Sequence, residues 1–324
     1  MNSTPRVSVI IPAYNSADYL PEALESVLRQ DYNNYEIIVI DDGSKDHTFN
    51  CVKPYKDQIR YFYQENQGVS KARNHGIEVA CGEFVAFLDA DDFFLPHKLE
   101  AQLAVFDTNP ELGIVHSGWR RVNHQGQFLT DVQPWHYVPE LNLESWLIYK
   151  PVLPSAMIFR REWLEKSGGF DPRFPPAEDT ELVLRLARMG CQASWLKSVT
   201  VGYRQHDQSA MYQGLPQARS LMKVIDNFFA QPNLPEKVQW LEQSVRYTTL
   251  VWIAWYLYQT NHLPEMVEIL KRSQKYQSLS PIELLVNWID SFSRFSADIQ
   301  EELDTDALTQ SQQWQEFTQW LLKE

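Results

Sequence analysis

The sequence predicts an α/β protein: a mostly parallel sheet with helices on both faces through about residue 214, followed by an all-α region. Three observations carry that expectation. Short apolar runs suited to buried strands alternate with segments of helical period as far as Tyr203, the pattern of strands joined by crossover helices. From about Leu215 the strand signals stop and only helical patterns remain. Acidic residues stand directly after the apolar runs that end before Asp41 and Asp89, which places them at the carboxyl edge of a sheet, where open α/β folds bind ligands.

Each element has its own signal. Val7–Ile11 reads as a strand stopped by Pro12, and 16–30 as a helix with Leu20, Ala23, Leu24, Val27 and Leu28 on one face. Residues 36–40 form the next strand, a helix follows Ser44, and Ile59–Tyr63 is a short strand. Gly68–Ala80 is helical and leads to the strand 84–88. After Pro96 a helix runs to about Asp107, and Gly113–Gly118 begins another strand. The stretch from His124 to Pro154 is aromatic, polar and punctuated by proline, so it is read as a substrate-facing insertion. Ala156–Phe159 resumes the sheet, Arg161–Ser167 and Glu178–Met189 are helical, and Trp195–Tyr203 is a last strand. A domain boundary is expected near Gly214, dividing 1–214 from 215–324. Helices are then expected over 216–230, 235–259, 263–275, 280–295 and 306–322, with Trp240, Val245, Tyr247, Leu250, Val251 and Ala254 on a buried face.

Composition narrows the class. A chain of 324 residues that is 44% hydrophobic is long and apolar enough to bury a sizeable core. A formal charge of −13 opposes nonspecific attraction to nucleic acid or anionic membrane. Part of it is a solvated acidic helical tail, with nine acidic against two basic residues from Pro281 onward. Cys51, Cys81 and Cys191 are widely spaced and lack metal-site spacing, as reduced cysteines of a cytosolic protein do. A polar start without a signal peptide, and the lack of an apolar run near the ~20 residues of a membrane span, make the cytoplasm the expected setting. Peripheral contact at the inner membrane face is left open.

Asp41, Asp89, Asp91, Glu178 and Asp179 would repel one another if they shared a site, unless a cation or hydrogen-bond donors offset them. Asp41-Asp42-Gly43-Ser44 offers a carboxylate able to accept from a ring N–H, or simply a capped turn. Asp89-Ala90-Asp91 offers oxygen ligands to a hard cation such as Mn²⁺ or Mg²⁺. Pro12-Ala13-Tyr14-Asn15 is either a nucleobase cradle or a strand-to-helix turn with Asn15 or Ser16 as the helix cap. Lys71 and Arg73 sit near a helix amino end, where cations are unfavourable, and a bound anion would relieve that conflict. Two residues apart, they do not share a helix face, so at most one reaches a ligand. Glu178 and Asp179 are ordinary first-turn acids taken alone. Tyr203-Arg204-Gln205-His206 leaves the last strand and returns either a basic side chain or a metal-binding imidazole to the edge, or His206 is simply a surface or structural side chain.

In this order the motifs resemble the family 2 inverting glycosyltransferases of the GT-A fold, over about residues 5–210. The resemblance implies a GT-A (Rossmann-like) sheet, a nucleotide-sugar donor (usually UDP-linked) and a hydroxyl acceptor on a glycan, lipid-linked glycan or protein. It implies that Pro12, Ala13, Tyr14 and Asp41 hold the base with Arg73 nearby. Asn15, Lys71 and Ala90 complete the expected donor-binding set. It further implies that Asp89 faces the ribose or the metal, Asp91 ligates Mn²⁺ or Mg²⁺, and His206 is a late metal or phosphate contact. Asp179 is the implied general base, supported by Glu178. The Gln-x-x-Arg-Trp motif and membrane helices of processive polysaccharide synthases are absent from the sequence, which suggests a soluble, single-addition enzyme.

Two alternatives compete. A nucleotidyltransferase also gathers carboxylates at a sheet edge, but it wants a basic, glycine-rich loop where Pro12-Ala13-Tyr14-Asn15 stands. A non-catalytic glycan-binding relative is opposed by the intact Asp89, Asp91 and Asp179. The helical tail is read either as a cap or as a dimer or partner surface presenting Trp252, Trp255, Trp288 and Trp320.

Overall fold

Strand β1 (Val7–Ala13) lies between β2 (Tyr35–Asp41) and β4 (Phe84–Phe87), and β3 (Arg60–Tyr63) extends the sheet beyond β2, all four parallel. These assignments come from a computed structural model that describes residues 4–206, 214–299 and 301–323. The chain separates into two compact units, the first ending at Asp207 and the second beginning at Gln208.

In the first unit β1 does not stop at Pro12. Ile10 accepts from the Leu88 N–H and Ala13 from the Asp42 N–H, so alternate residues of β1 point to opposite neighbours. Pro12 faces the β4 side, where the ladder ends at Ile10, and its missing N–H therefore removes no rung. The apolar faces explain the layering. Val7, Val9, Ile11, Ile37 and Val39 share one core with Leu20, Ala23, Leu24 and Val27 of α1 (Leu20–Leu28) and with Leu99, Leu103 and Phe106 of α4 (Lys98–Thr108). On the other face Ile10 meets Gly76 of α3 (Val69–Val79) so closely that a Cβ there would lie 2.3 Å from it.

Beyond β4 the expectation of a mostly parallel arrangement fails. β8 (Met157–Arg160) is antiparallel to both β4 and β6 (Leu112–Val122), β6 pairs parallel with β9 (Gln192–Arg204), and β5 (Phe93–Phe94) runs antiparallel to β9. The result is a mixed sheet of order β3-β2-β1-β4-β8-β6-β9-β5 among the described residues. The stretch read as an insertion is partly framework. β7 (Phe128–Val132) hairpins onto β6, and Asn123 Oδ1 accepts from the Gln125 and Gln127 N–H groups while Gly126 takes φ +78°. The same stretch also supplies α5 (Leu143–Tyr149). The helices α2 (Thr48–Val52), α6 (Arg161–Ser167) and α7 (Glu178–Arg188) complete the unit.

The second unit is helical throughout its described residues: α8 (Leu215–Phe229), α9 (Glu236–Trp240), α10 (Glu242–Gln259), α11 (Leu263–Ser273), α12 (Pro281–Asp298), α13 (Thr305–Gln310) and α14 (Gln312–Leu321). Residues 207–213, which border the expected boundary at Gly214, lie outside the described residues. The buried face of α10 includes Val245, Tyr247, Leu250, Val251 and Ala254, but Trp240 belongs to the separate short helix α9 and is 75% exposed. Trp288 and Trp255 are core residues of this unit, so they are not available to a partner as expected; Trp320 is more exposed. A reciprocal cap starts α12, with the Glu283 N–H donating to Ser280 Oγ and the Ser280 N–H to the Glu283 carboxylate.

Candidate active site

The carboxyl ends of β1 and β2 form one wall. Pro12 and Ala13 are buried there, while Tyr14 is 47% exposed. Asn15 takes φ +49° and does not cap α1, and neither does Ser16. Instead the Asn15 N–H donates to Ser44 Oγ at 2.9 Å and Asn15 Oδ1 accepts from the Lys45 N–H at 2.8 Å, which locks the two strand-end turns together. Asp41 is buried. Its Oδ1 accepts from the Ser44 N–H at 2.8 Å and its Oδ2 from the Tyr61 hydroxyl. Burial first, and Asp41 next, raise the Tyr61 pKa, so the phenol stays a donor. Each Asp41 oxygen keeps a further lone pair for a ligand N–H. The neighbouring Asp42 accepts from Gln64 Nε2 and from the Gln67 and Gly68 N–H groups, shaping the turn into α3.

The second wall begins just after β4. Asp89 donates its N–H to the buried Ser155 hydroxyl at 3.1 Å, and its carboxylate is 28% exposed. Arg73 of α3 reaches it through Nη2 at 2.6 Å and reaches Glu178 at the start of α7 through Nη1 at 2.7 Å. Arg73 is 4% exposed, and its guanidinium lies 5.1 Å from the Phe170 ring centroid. The unfavourable cation at the start of α3 is thus relieved by anions of the chain itself, from positions 16 and 105 residues away. Lys71 is exposed.

Asp179 follows Glu178 and is partly exposed at the first turn of α7, where acids suit the helix dipole. Its Oδ1 accepts from the Thr180 N–H. Burial, and then the Glu178 charge, push its pKa up to about 7, against the lowering pull of Arg73. A carboxyl poised there is suited to taking a proton near neutral pH.

Asp91 and His206 form a pair, with His206 Nε2 2.8 Å from Asp91 Oδ2. The imidazole stacks on Tyr19, with ring centroids 5.3 Å apart. Buried Arg204 ties this corner down through Nε to the Asp91 carbonyl, Nη1 to the His124 carbonyl and Nη2 to Glu22, while its own N–H donates to Asp92 Oδ1 at 3.0 Å. Burial, then Asp91 and Asp89, push the Asp92 pKa well up.

Two ligands at right angles on a six-coordinate ion with ~2.1 Å bonds stand about 3 Å apart, close to the 2.8 Å between Asp91 and His206. The pair fits such an ion, and the imidazole favours Mn²⁺ over Mg²⁺. Asp89 does not join them, because its carboxylate is turned to Arg73. Among the described residues, three metal-ligating side chains with all ligand atoms within 4.8 Å occur at Asp31, His97 and Glu100, which are exposed. Ala90 is buried in the turn between the two acids. The arrangement therefore brings together Asp89, Arg73, Glu178 and Asp179, and separately Asp91 and His206. Tyr61 and Ser155 carry structural duties that no sequence motif suggested, whereas Asp42 and Arg204 lie within motifs read from the sequence and prove to hold turns.

Comparison with known proteins points one way. The model for glycosyl transferase family 2 matches residues 8–168. An uncharacterised glycosyltransferase of Rickettsia typhi (strain ATCC VR-144 / Wilmington) is 34% identical over 242 residues, covering 72% of this chain and 75% of the relative. A second, from Rickettsia felis (strain ATCC VR-1525 / URRWXCal2), is 33% identical over 57% of this chain, which spans 32% of that longer protein. The structure of S. aureus TarS 1-349 in complex with UDP-GlcNAc aligns with TM-score 0.64 at 19% identity, covering 89% of each chain. Mannosyltransferase PcManGT from Pyrobaculum calidifontis, in complex with GDP-Man and Mn²⁺, aligns with TM-score 0.62 at 21% identity, over 98% of this chain and 84% of that one. With these two structures the likeness is one of fold.

Proposed function

The chain belongs to glycosyl transferase family 2, and from that premise we propose that it transfers a sugar from a nucleotide-sugar donor, UDP-linked, to a hydroxyl of a glycan, lipid-linked glycan or protein, with inversion at the anomeric carbon. The observation that carries this reading is the Arg73 bridge, which sets Asp89 at the end of β4 beside Glu178 and Asp179 at the start of α7. Ligand-side and base-side carboxylates thereby share one corner of the sheet edge.

In this reading Asp41 accepts from the ring N–H of the nucleobase, against the turn of Pro12, Ala13, Tyr14 and Asn15. Asp91 and His206 hold Mn²⁺ or Mg²⁺, and a cation bound there would offset the charge gathering on the departing diphosphate. Asp179 takes the proton of the acceptor hydroxyl while the acceptor oxygen bonds to the anomeric carbon. The bond from that carbon to the diphosphate breaks on the opposite side, and nucleoside diphosphate leaves with the bonding pair. Glu178, fixed by Arg73, holds the base helix at the acceptor. The TarS and PcManGT complexes, with UDP-GlcNAc and with GDP-Man and Mn²⁺, support a nucleotide-sugar donor and a divalent ion.

A pH series tests the assignment. Nucleoside diphosphate release is measured for a panel of nucleotide sugars with Mn²⁺ and glycan acceptors. Because the base acts deprotonated and its pKa is raised to about 7, kcat/KM rises with pH to a plateau above about 7 and falls about tenfold per unit well below it. A profile flat between pH 5 and 8 contradicts Asp179 as base, and no release from any donor contradicts the transferase reading.

A further inference from the structure

We propose that Asn74 of α3 is a positioning residue for the transfer step: its side-chain amide pairs with the main chain of Phe170 and so fixes the segment that delivers Asp179. The inference rests on the transferase reading above, in which Asp179 is the base. Asn74 Nδ2 donates to the Phe170 carbonyl at 2.8 Å and Asn74 Oδ1 accepts from the Phe170 N–H at 2.7 Å. The amide thus stands in for a neighbouring strand and satisfies both backbone groups of one residue. Phe170 is 1% exposed, so removing the amide strips two buried polar groups of their partner. The approach also depends on Gly169, φ +72°, where a Cβ would lie 2.3 Å from Asn74 Oδ1.

The contact holds the link between α6 and α7. From the other side Arg185 of α7 donates to the Ser167 and Gly169 carbonyls, its guanidinium held by Glu181 one turn earlier. The chain at 167–170 is therefore fixed from α3 and from α7 at once. The Phe170 ring lies edge-on to Phe87 of β4, with centroids 5.2 Å apart, and 5.1 Å from the Arg73 guanidinium that meets Glu178. Residues 171–177 form neither helix nor strand, so their placement depends on what holds their ends. Asn74 holds one end at Phe170, and Arg73 holds the other at Glu178, beside the base. A base has to stand within hydrogen-bond reach of the acceptor hydroxyl, and a small error in that placement is costly.

The test uses the full chain carrying Asn74→Ala and Asn74→Asp. The second is nearly isosteric but turns a carboxylate, which cannot donate, to the Phe170 carbonyl, so it acts like the first. UDP affinity with Mn²⁺ is measured by calorimetry, kcat, donor KM and the pH profile by nucleotide release, and amide exchange over 168–181 by mass spectrometry. The clamp predicts UDP affinity and donor KM within about threefold of wild type, but kcat lower by roughly 100-fold in both variants, the scale of a misplacement near 1 Å. Exchange over 168–181 quickens. The midpoint of the pH profile, about 7 in wild type, moves downward, because a loosened segment takes Asp179 into water and away from Glu178 and Arg73. Wild-type kcat in Asn74→Asp, or faster exchange with kcat unchanged, reduces the contact to a structural one and overturns the proposal, as does a loss confined to UDP affinity. If Asn74→Ala does not fold, Asn74→Asp decides by the same split, and rapid exchange of the Phe170 amide in wild type overturns the proposal without any variant. Should wild type release nucleotide from no donor, the transferase reading fails separately, while exchange still shows whether Asn74 holds the segment.

Discussion

Asp179→Asn is expected to bind UDP and Mn²⁺ as wild type does while transfer falls by roughly 10²- to 10⁴-fold, the range that a positioned proton acceptor contributes. The substitution is nearly isosteric. The new side-chain amide keeps an oxygen able to accept from the Thr180 N–H that now meets the carboxylate, so the first turn of α7 is undisturbed. What disappears is the capacity to take a proton. A sugar hydroxyl is too weak an acid to lose its proton unaided, and a neutral amide does not accept it. Loss of a charge also removes one repulsive neighbour of Glu178, so the folded protein is not weakened. UDP-induced thermal stabilisation, which reports ligand binding by mass action, serves as the control. Turnover within a fewfold of wild type would assign the base to another group.

Asp91→Ala has the second large effect, and it falls on binding. With one of the two proposed ligands gone, Mn²⁺-dependent stabilisation by UDP is expected to disappear, a loss larger than the roughly 10–100-fold that removal of an outer-shell partner costs. The turn itself survives, because Arg204 Nε holds the main-chain carbonyl of Asp91, not its side chain, and the Arg204 N–H is held by Asp92. His206→Ala is expected to act in the same direction. Full Mn²⁺-dependent stabilisation in Asp91→Ala would place the cation elsewhere.

Much of the first unit is legible in the sequence because its strands are buried on both faces and read as plain apolar runs, such as 36–40 and 84–88. The acids at strand ends follow from the same reading. Strand direction does not, since period-two patterning is identical for parallel and antiparallel neighbours, and β8 looks like any other buried run. β5 has only Phe93 and Phe94, too short for any pattern, and β7 is a short run of five residues inside a stretch that is otherwise polar and punctuated by proline. Trp240 matched a helical period that runs across the break at Leu241 into α10. At the site, the conflict between Arg73 and its helix was visible, but its resolution was not. Asp89 and Glu178 come from distant parts of the chain, and only the folded geometry reveals that they occupy the guanidinium. The same contact draws Asp89 away from the metal-ligand role that its motif suggests.

The most direct measurement is a crystal structure of the protein with Mn²⁺ and UDP, using the anomalous signal of manganese to locate the ion. The account predicts one Mn²⁺ within about 2.3 Å of Asp91 and His206, touching the diphosphate, with Asp179 facing the empty sugar pocket. An ion bound only at Asp31, His97 and Glu100, or UDP seated away from Asp41, contradicts it.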